Sequence, residues 1–252
     1  MFYRPGSSYV NSQARVYLPS GLAAVGATYT VTTTGAQVHT IQSLGIVAPE
    51  SVTVHWGDGS SDVYSGTALR THAYAGAGTW LVTITHPEHV RTFDIRDNKV
   101  NLNSADIAGM INIDTFIAAT LRSGRFDSAD VSAWRPTSFQ LFSMPAGYTL
   151  TAGGGFANWI TTSNFQVQDN GLLTATVNAI LWELYQASRT PRTVVGGIIN
   201  VGGTNQAPSG VFQPAAACPV TVATPGKEVA HELRFDGCGV GFNVWTTVTF
   251  TP

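Results

Sequence analysis

Asp58, Asp62 and His72 are the first residues whose types and spacing suggest chemistry. The two carboxylates stand in "HWGDGSSDVY" and the histidine follows in "RTHAY". Carboxylates are hard oxygen ligands, and an imidazole that titrates near neutrality suits general-base work. Calcium takes about six to eight oxygens, so Asp58 and Asp62, with no third acidic neighbour, are weak calcium candidates. No nucleophile accompanies His72, which points to a hydrogen-bonded structural histidine beside Tyr74. "HPEH" offers His86, Glu88 and His89 to a transition metal. Zinc wants three or four ligands, and the proline opposes the helix of an H-E-x-x-H site, so no metal is expected there. Asp94, Asp97, Asp106, Asp114, Asp127 and Asp130 could supply a glycosidase pair. Several recur at equivalent places, as Asp106 and Asp130 do in two "SAD" phrases, which favours a repeated turn or cap instead. "TAGGGFANW" lacks the lysine of a phosphate loop and reads as a turn.

Bulk composition narrows the classes further. The 252-residue chain can hold one large or two modest cores. Charged residues are 11% of the chain and the formal net charge is -2. No basic run exists to neutralise a phosphate backbone, so nucleic acid and anionic membrane are poor partners. The surface must be mostly uncharged and polar. Cys218 and Cys238 are too few for a disulfide framework, and the readings left open are two buried free thiols or a single disulfide. The first residues contain no apolar run of signal-peptide length, and no stretch is long enough to span a bilayer. On this reading the chain is not exported by a visible signal.

The elements that must position these residues begin at Ala27. "ATYTVTTTGAQVHTIQSLGI" reads as two strands and a turn. "SVTVHW" places Val52, Val54 and Trp56 on one face, and "GTWLVTIT" does the same with Trp80, Val82 and Ile84. Short strands at this spacing predict a small β-sandwich. Gly57, Asp58 and Gly59 suit a tight turn, because glycine accepts positive φ and aspartate bonds backbone amides two residues on. "HWGDGS", "THAYAGAG" and "TWLVTIT", in that order, resemble the PKD family of immunoglobulin-like domains. The resemblance covers about residues 27 to 90 and makes Trp56, Gly57, Asp58, Gly59, His72 and Tyr74 a structural signature. It implies a seven-stranded sandwich used as a spacer or recognition module, with no catalysis.

Beyond Val90 the chain repeats. "SADIAGM" at Ser104–Met110 returns as "SADVSAW" at Ser128–Trp134, and "GFANW" ends alike at Trp159, a unit of about 24 to 26 residues. Strand-like phrases follow each, predicting a core of Ile111, Ile113, Phe139, Leu141, Phe165 and Val167, with Ile107, Val131 and Trp134 in the returns. Phe93 and Ile95 occupy the matching strand positions of an earlier unit. The period resembles that of leucine-rich repeats, which bury a core only by stacking. Val177, Ile180, Leu181 and Leu184 predict one amphipathic helix from about Ala175 to Ser188, with Thr174 as its N-cap. The tail adds a short helical piece and a strand with Val244, Thr246, Val248 and Phe250 on one face.

The fold expected is therefore mainly β: an N-terminal arm (1–26), a PKD-like sandwich (27–90), a leucine-rich-repeat-like solenoid (91–210) and a C-terminal cap (211–252). Such a pairing resembles phage virion accessory proteins and bacterial surface adhesins. The expected function is non-enzymatic: capsid decoration or a tail-fibre part located on the virion, without cofactor. Its partners would be capsid or tail proteins, further copies of itself, and a host protein or glycan. In the arm, Phe2, Tyr3, Arg4, Tyr9, Arg15 and Tyr17 are candidate docking residues, since Tyr and Arg are enriched at interfaces. The alternatives are a bacterial surface adhesin and a carbohydrate-binding or glycan-hydrolysing module. Exposed, coplanar Trp134, Trp159 or Trp182 would favour the carbohydrate reading.

Overall fold

Alternation of β-branched and polar residues sets the strands, and glycine or proline interrupts them. The computed structural model describes residues 26–122, 131, 133–144, 155–189, 196–239 and 244–252. In chain order come β1 (Ala27–Thr34), β2 (Gln37–Ile46), β3 (Val52–His55), β4 (Ser61–Tyr64), β5 (Thr67–Tyr74), β6 (Ala77–Ile84), β7 (Val90–Asp94) and β8 (Val100–Asp106). These are followed by β9 (Thr115–Ala119), β10 (Ser138–Phe142), β11 (Asn164–Gln166), α1 (Thr174–Arg189), β12 (Ile198–Asn200), α2 (Gly226–Phe235) and β13 (Thr247–Thr249). The protein is mainly β, with the strands in two sheets. One has five strands in the order β4-β3-β6-β1-β8, and the other has eight in the order β13-β12-β11-β10-β9-β7-β2-β5.

Both halves of the chain meet in the larger sheet. β7 pairs antiparallel with β2 on one edge, through Leu44 and Phe93, and parallel with β9 on the other, through Phe93 and Phe116. β8 lies beside β1 in the smaller sheet. The stretch 91–106, expected to open the repeat, thus contributes one strand to each sheet. Tyr29 of β1 reaches across to Phe93, with ring centroids 5.7 Å apart, and a single buried cluster runs from Ala27 to Trp245.

Along the larger sheet from β7 through β9 to β13, every pairing is parallel. Phe93, Phe116, Phe139, Phe165, Ile199 and Val248 occupy equivalent rungs. Successive rungs are therefore separated by 23, 23, 26, 34 and 49 residues along the chain. The first five of these side chains are fully buried. Phe139 stacks between Phe116 and Phe165 with centroids 5.5 Å from each. The returns close the far side: Ile107, Val131, Trp134 and Trp159 are all fully buried.

Two details differ from the expected core. Ile111 is 49% exposed, because the segment before β9 is a turn in which Met110 N–H donates to Ile107 O and Ile113 N–H to Met110 O. The strand starts later, and Phe116 and Ala118 take the inward places. In the tail, Trp245, on the face opposite Val244, Thr246, Val248 and Phe250, is buried: its indole N–H donates to Ser188 Oγ at 3.1 Å and its backbone N–H to Leu233 O. The helix expected over 175–188 is α1, with Val177, Ile180, Leu181 and Leu184 buried. Thr174 does not cap it with a self-contained box. Its amide and hydroxyl instead donate to Gln206 Oε1.

The tail was expected only to cover the ladder, yet β13 extends it by one rung and α2 packs on α1. Cys218 and Cys238 form a disulfide, with Cα atoms 5.3 Å apart. The buried Glu232 carboxylate ties the same region together by accepting from Ala215 N–H and Cys238 N–H.

Truncating Phe139 to alanine removes the middle ring of the stack. The expected loss is about 3–5 kcal/mol of unfolding free energy in urea titration. A loss below 1 kcal/mol would show that the stack is not what holds the rungs.

Candidate functional site

The acidic turn and the histidine of "HWGDGSSDVY" and "RTHAY" do come together, as one bonded assembly. Trp56 directly follows β3 and is buried, and its indole N–H donates to Asp62 Oδ2 at 2.7 Å. The His72 ring lies flat on Trp56, with centroids 4.8 Å apart and planes 6° from parallel. Its Nε2 bonds to Asp58 Oδ2 at 2.7 Å. Tyr74 donates its hydroxyl to Trp56 O at 2.7 Å and stacks on Trp80. Asp58 Oδ1 accepts from both the amide and the hydroxyl of Ser60, the turn anticipated from the sequence.

The two weak calcium candidates are thereby engaged by different donors. Asp58 faces Ser60 and His72, while Asp62 faces Trp56 and Tyr64. Gly57 and Gly59 have φ of 88° and 95°. A Cβ on Gly57 would meet Leu81 O at 2.7 Å, whereas one on Gly59 would meet nothing. Burial pushes the Asp58 carboxyl up, but the Ser60 and His72 hydrogen bonds outweigh it and bring its pKa down to about 2.

A second assembly, centred on His39, gave no warning in the sequence. Tyr29 Oη bonds His39 Nε2 at 3.0 Å, and His39 Nδ1 bonds Asp97 Oδ2 at 2.9 Å. Asp97 also accepts from Thr40 N–H, Lys99 N–H and Lys99 Nζ. The order hydroxyl, imidazole, carboxylate is that of a nucleophile relay. Here, however, Tyr29 and His39 are fully buried, and burial raises the tyrosine pKa well above its usual value. No substrate atom can reach that hydroxyl, so the assembly is a brace between β1, β2 and the loop before β8. Asp97 lies in that loop, 58 residues from His39, and local periodicity carries no signal at such a distance.

Two of the other proposed carboxylates are engaged locally. Asp94 pairs with Arg96 at 2.7 Å, and Asp106 accepts weakly from Ala108 N–H in a turn. Asp127 and Asp130 lie outside the described residues, as do Phe2, Tyr3, Arg4, Tyr9, Arg15 and Tyr17. Trp134 and Trp159 are fully buried and Trp182 is half-buried against the core, stacked on Tyr185. The exposed aromatic platform that a sugar-binding tryptophan row would need is absent from these three positions. A hollow of about 180 Å³ lined by Ala215, Ala216, Ala217, Val220 and Pro225 is mostly apolar, with Glu228 as its one charged wall.

What remains is the outward face of the parallel ladder. One row runs Thr115, Ser138, Asn164, Ile198 and Thr247, and the next Ile117, Gln140, Gln166, Asn200 and Thr249. None of these ten side chains is charged. Amide and hydroxyl groups are knitted along it: Asn164 Nδ2 and Gln140 Nε2 both donate to Ser138 Oγ, and Gln166 Nε2 donates to Asn164 Oδ1 at 2.7 Å. Gln168 Nε2 continues the line to Gln166 Oε1. These bonds hold the amides in one orientation before any ligand arrives, which lowers the entropy lost on binding.

No protein-family profile, curated protein or solved structure matches this chain. Among the described residues, no helix is long and apolar enough to cross a membrane.

Two outcomes follow for the acidic turn. Gly57→Ala should lower the unfolding free energy by more than about 1 kcal/mol, since it adds strain at positive φ to a backbone clash, and Gly59→Ala should cost less. For pH, the folded-state pKa of Asp58 lies below the ordinary aspartate value of 3.8. Its stabilising contribution is therefore complete above about pH 4 and is lost as pH falls toward 2. Between those values Asp58→Asn should lose stability with acid less steeply than the parent chain in urea titrations. Parallel slopes would remove Asp58 from the account.

Proposed function

We propose that the chain is a non-enzymatic docking protein of a repetitive biological surface, a phage virion accessory component in capsid decoration or a tail fibre. The observation that carries this reading is the uncharged outward face on β9 to β13, with its hydrogen-bonded amides and hydroxyl on β10 and β11, set on a sheet that continues into antiparallel strands. Low overall charge, 11% of residues, fits a surface that docks by backbone-like hydrogen bonds and apolar contact. In this reading β1 to β8 form a PKD-type, immunoglobulin-like sandwich. Its support is the signature cluster of Trp56, Gly57, Asp58, Gly59, His72 and Tyr74. The ladder from β7 onward is a leucine-rich-repeat-like solenoid, supported by the phenylalanine rungs at intervals of 23, 23 and 26 residues.

One module would hold the lattice while the other projects toward a host protein, a glycan or another copy. A bacterial surface adhesin is the alternative setting for the same mechanism. The glycan reading draws on the same amides, since hydroxyl-rich ligands are recognised by oriented Asn and Gln side chains.

Cryo-microscopy of native particles carrying a labelled copy of the chain tests the proposal. The expected result is label at regular lattice or tail positions, and loss of that label when Gln140 and Gln166 are both changed to lysine. The two half-buried positions face each other across β10 and β11, so the paired lysines should cost about 1 kcal/mol, and an unchanged circular dichroism spectrum is required for the label loss to count. Recovery of the chain only as free protein sinks the virion reading.

A further inference from the structure

From the turn between β6 and β7 we infer a divalent transition-metal site, formed by His86, Glu88 and His89 and suited to zinc. One potential ligand atom from each of the three lies within 4.8 Å of the others. The sequence had argued against such a site because Pro87 forbids an ordinary helix. The structure resolves this differently, for Pro87 opens a single 3-10 turn and His86 enters it with a φ of 52°. His89 closes that turn, and the two imidazoles lie near parallel, with centroids 5.3 Å apart and planes 11° from parallel.

The donor geometry suits a small cation. His86 Nδ1 is 3.3 Å from Glu88 Oε1, an oxygen that only accepts, so a cation binding between them takes the place of the Nδ1 proton. Two ligands bound to one tetrahedral zinc at about 2.0–2.1 Å are separated by about 3.3 Å. His89 Nε2 stands 3.8 Å from the same carboxylate oxygen and has only a short way to close. Its other nitrogen, Nδ1, points to Ser51 O at 3.3 Å. A carbonyl can only accept, so Nδ1 carries the proton and Nε2 presents a lone pair, the outer-shell arrangement that orients metal-binding histidines. Glu50 lies on the Nδ1 side, 4.0 Å away, and adds negative charge without joining the ligand set.

The backbone beneath the site is fixed on both sides. Glu88 O accepts from Asn112 Nδ2 at 2.8 Å, and His89 O accepts from Val47 N–H at 3.0 Å. Pro87 is buried against Gly109, where an added Cβ would approach its ring to 2.8 Å. His86 and Glu88 remain open to solvent, with side chains 57% and 38% exposed. The set is two imidazoles and one carboxylate, with the fourth position left to water or an incoming ligand. A bound ion would clamp the connection that carries the chain from the smaller sheet into β7.

The test uses the full chain, stripped of any affinity tag and treated with chelator, titrated with zinc chloride in a calorimeter and followed by thermal unfolding. The expected result is one equivalent bound, a rise in melting temperature, and an affinity at least tenfold weaker in His86→Ala and in Glu88→Gln. His55→Ala, at an exposed histidine elsewhere, should bind as the parent does. Glu88→Gln keeps the side-chain shape and so serves if a histidine variant misfolds. Absence of a one-equivalent event, or binding undiminished in both His86→Ala and Glu88→Gln, overturns the assignment.

Discussion

Strand β7 is bonded on both edges, and the remaining architecture follows from that. Its antiparallel partner β2 belongs to a pair of packed sheets, and its parallel partner β9 begins the ladder. Phe93 sits at the crossing, in contact with Tyr29 across the sheets and Phe116 along them. A parallel ladder cannot bury its first rung alone. Here the antiparallel portion covers that rung, so no separate N-terminal capping unit is needed. The cost is coupling: the two portions share hydrogen bonds and one core, and neither can shift register independently.

The Tyr29–His39–Asp97 brace acts beside that crossing. A carboxylate with a 6% exposed side chain would be strongly destabilising if left unpaired. Four donor groups meet it, from His39, Thr40 and Lys99, and they hold its pKa well below the usual carboxylate range despite burial. Polar groups that are fully satisfied in this way specify one arrangement of the surrounding chain more sharply than apolar packing does. The loop of Asp97 is the link between β7 and β8, so the brace fixes how the chain leaves one sheet for the other.

Much of this was legible in the residues, and the failures share a cause. Phe139, Leu141, Phe165 and Val167 were readable because a tryptophan stands five residues before Phe139 and six before Phe165. The Trp56 to Tyr74 cluster was readable because its members lie within one hairpin-rich segment. Ile111 was misplaced because a β-branched run looks like a strand whether or not Met110 and Ile113 close a turn in it. Alternation reveals which face of a strand is buried, yet it does not say which strand lies alongside. The double role of β7, the inward turn of Trp245 and the pairing of His39 with Asp97 are all relations between distant residues. In "HPEH", the rule against proline held for a helix but not for a single turn.

The unequal intervals along the ladder have a consequence for how such a molecule can change. Chain length between rungs grows from 23 to 49 residues while strand register stays fixed. Extra residues between rungs therefore leave the strand pairing intact, and the outward rows keep the roughly 4.8 Å pitch of neighbouring strands. The face behaves as a ruler whose graduations are invariant and whose markings are single side chains. Exchanging one residue per rung rewrites what the ruler reads without moving any other mark.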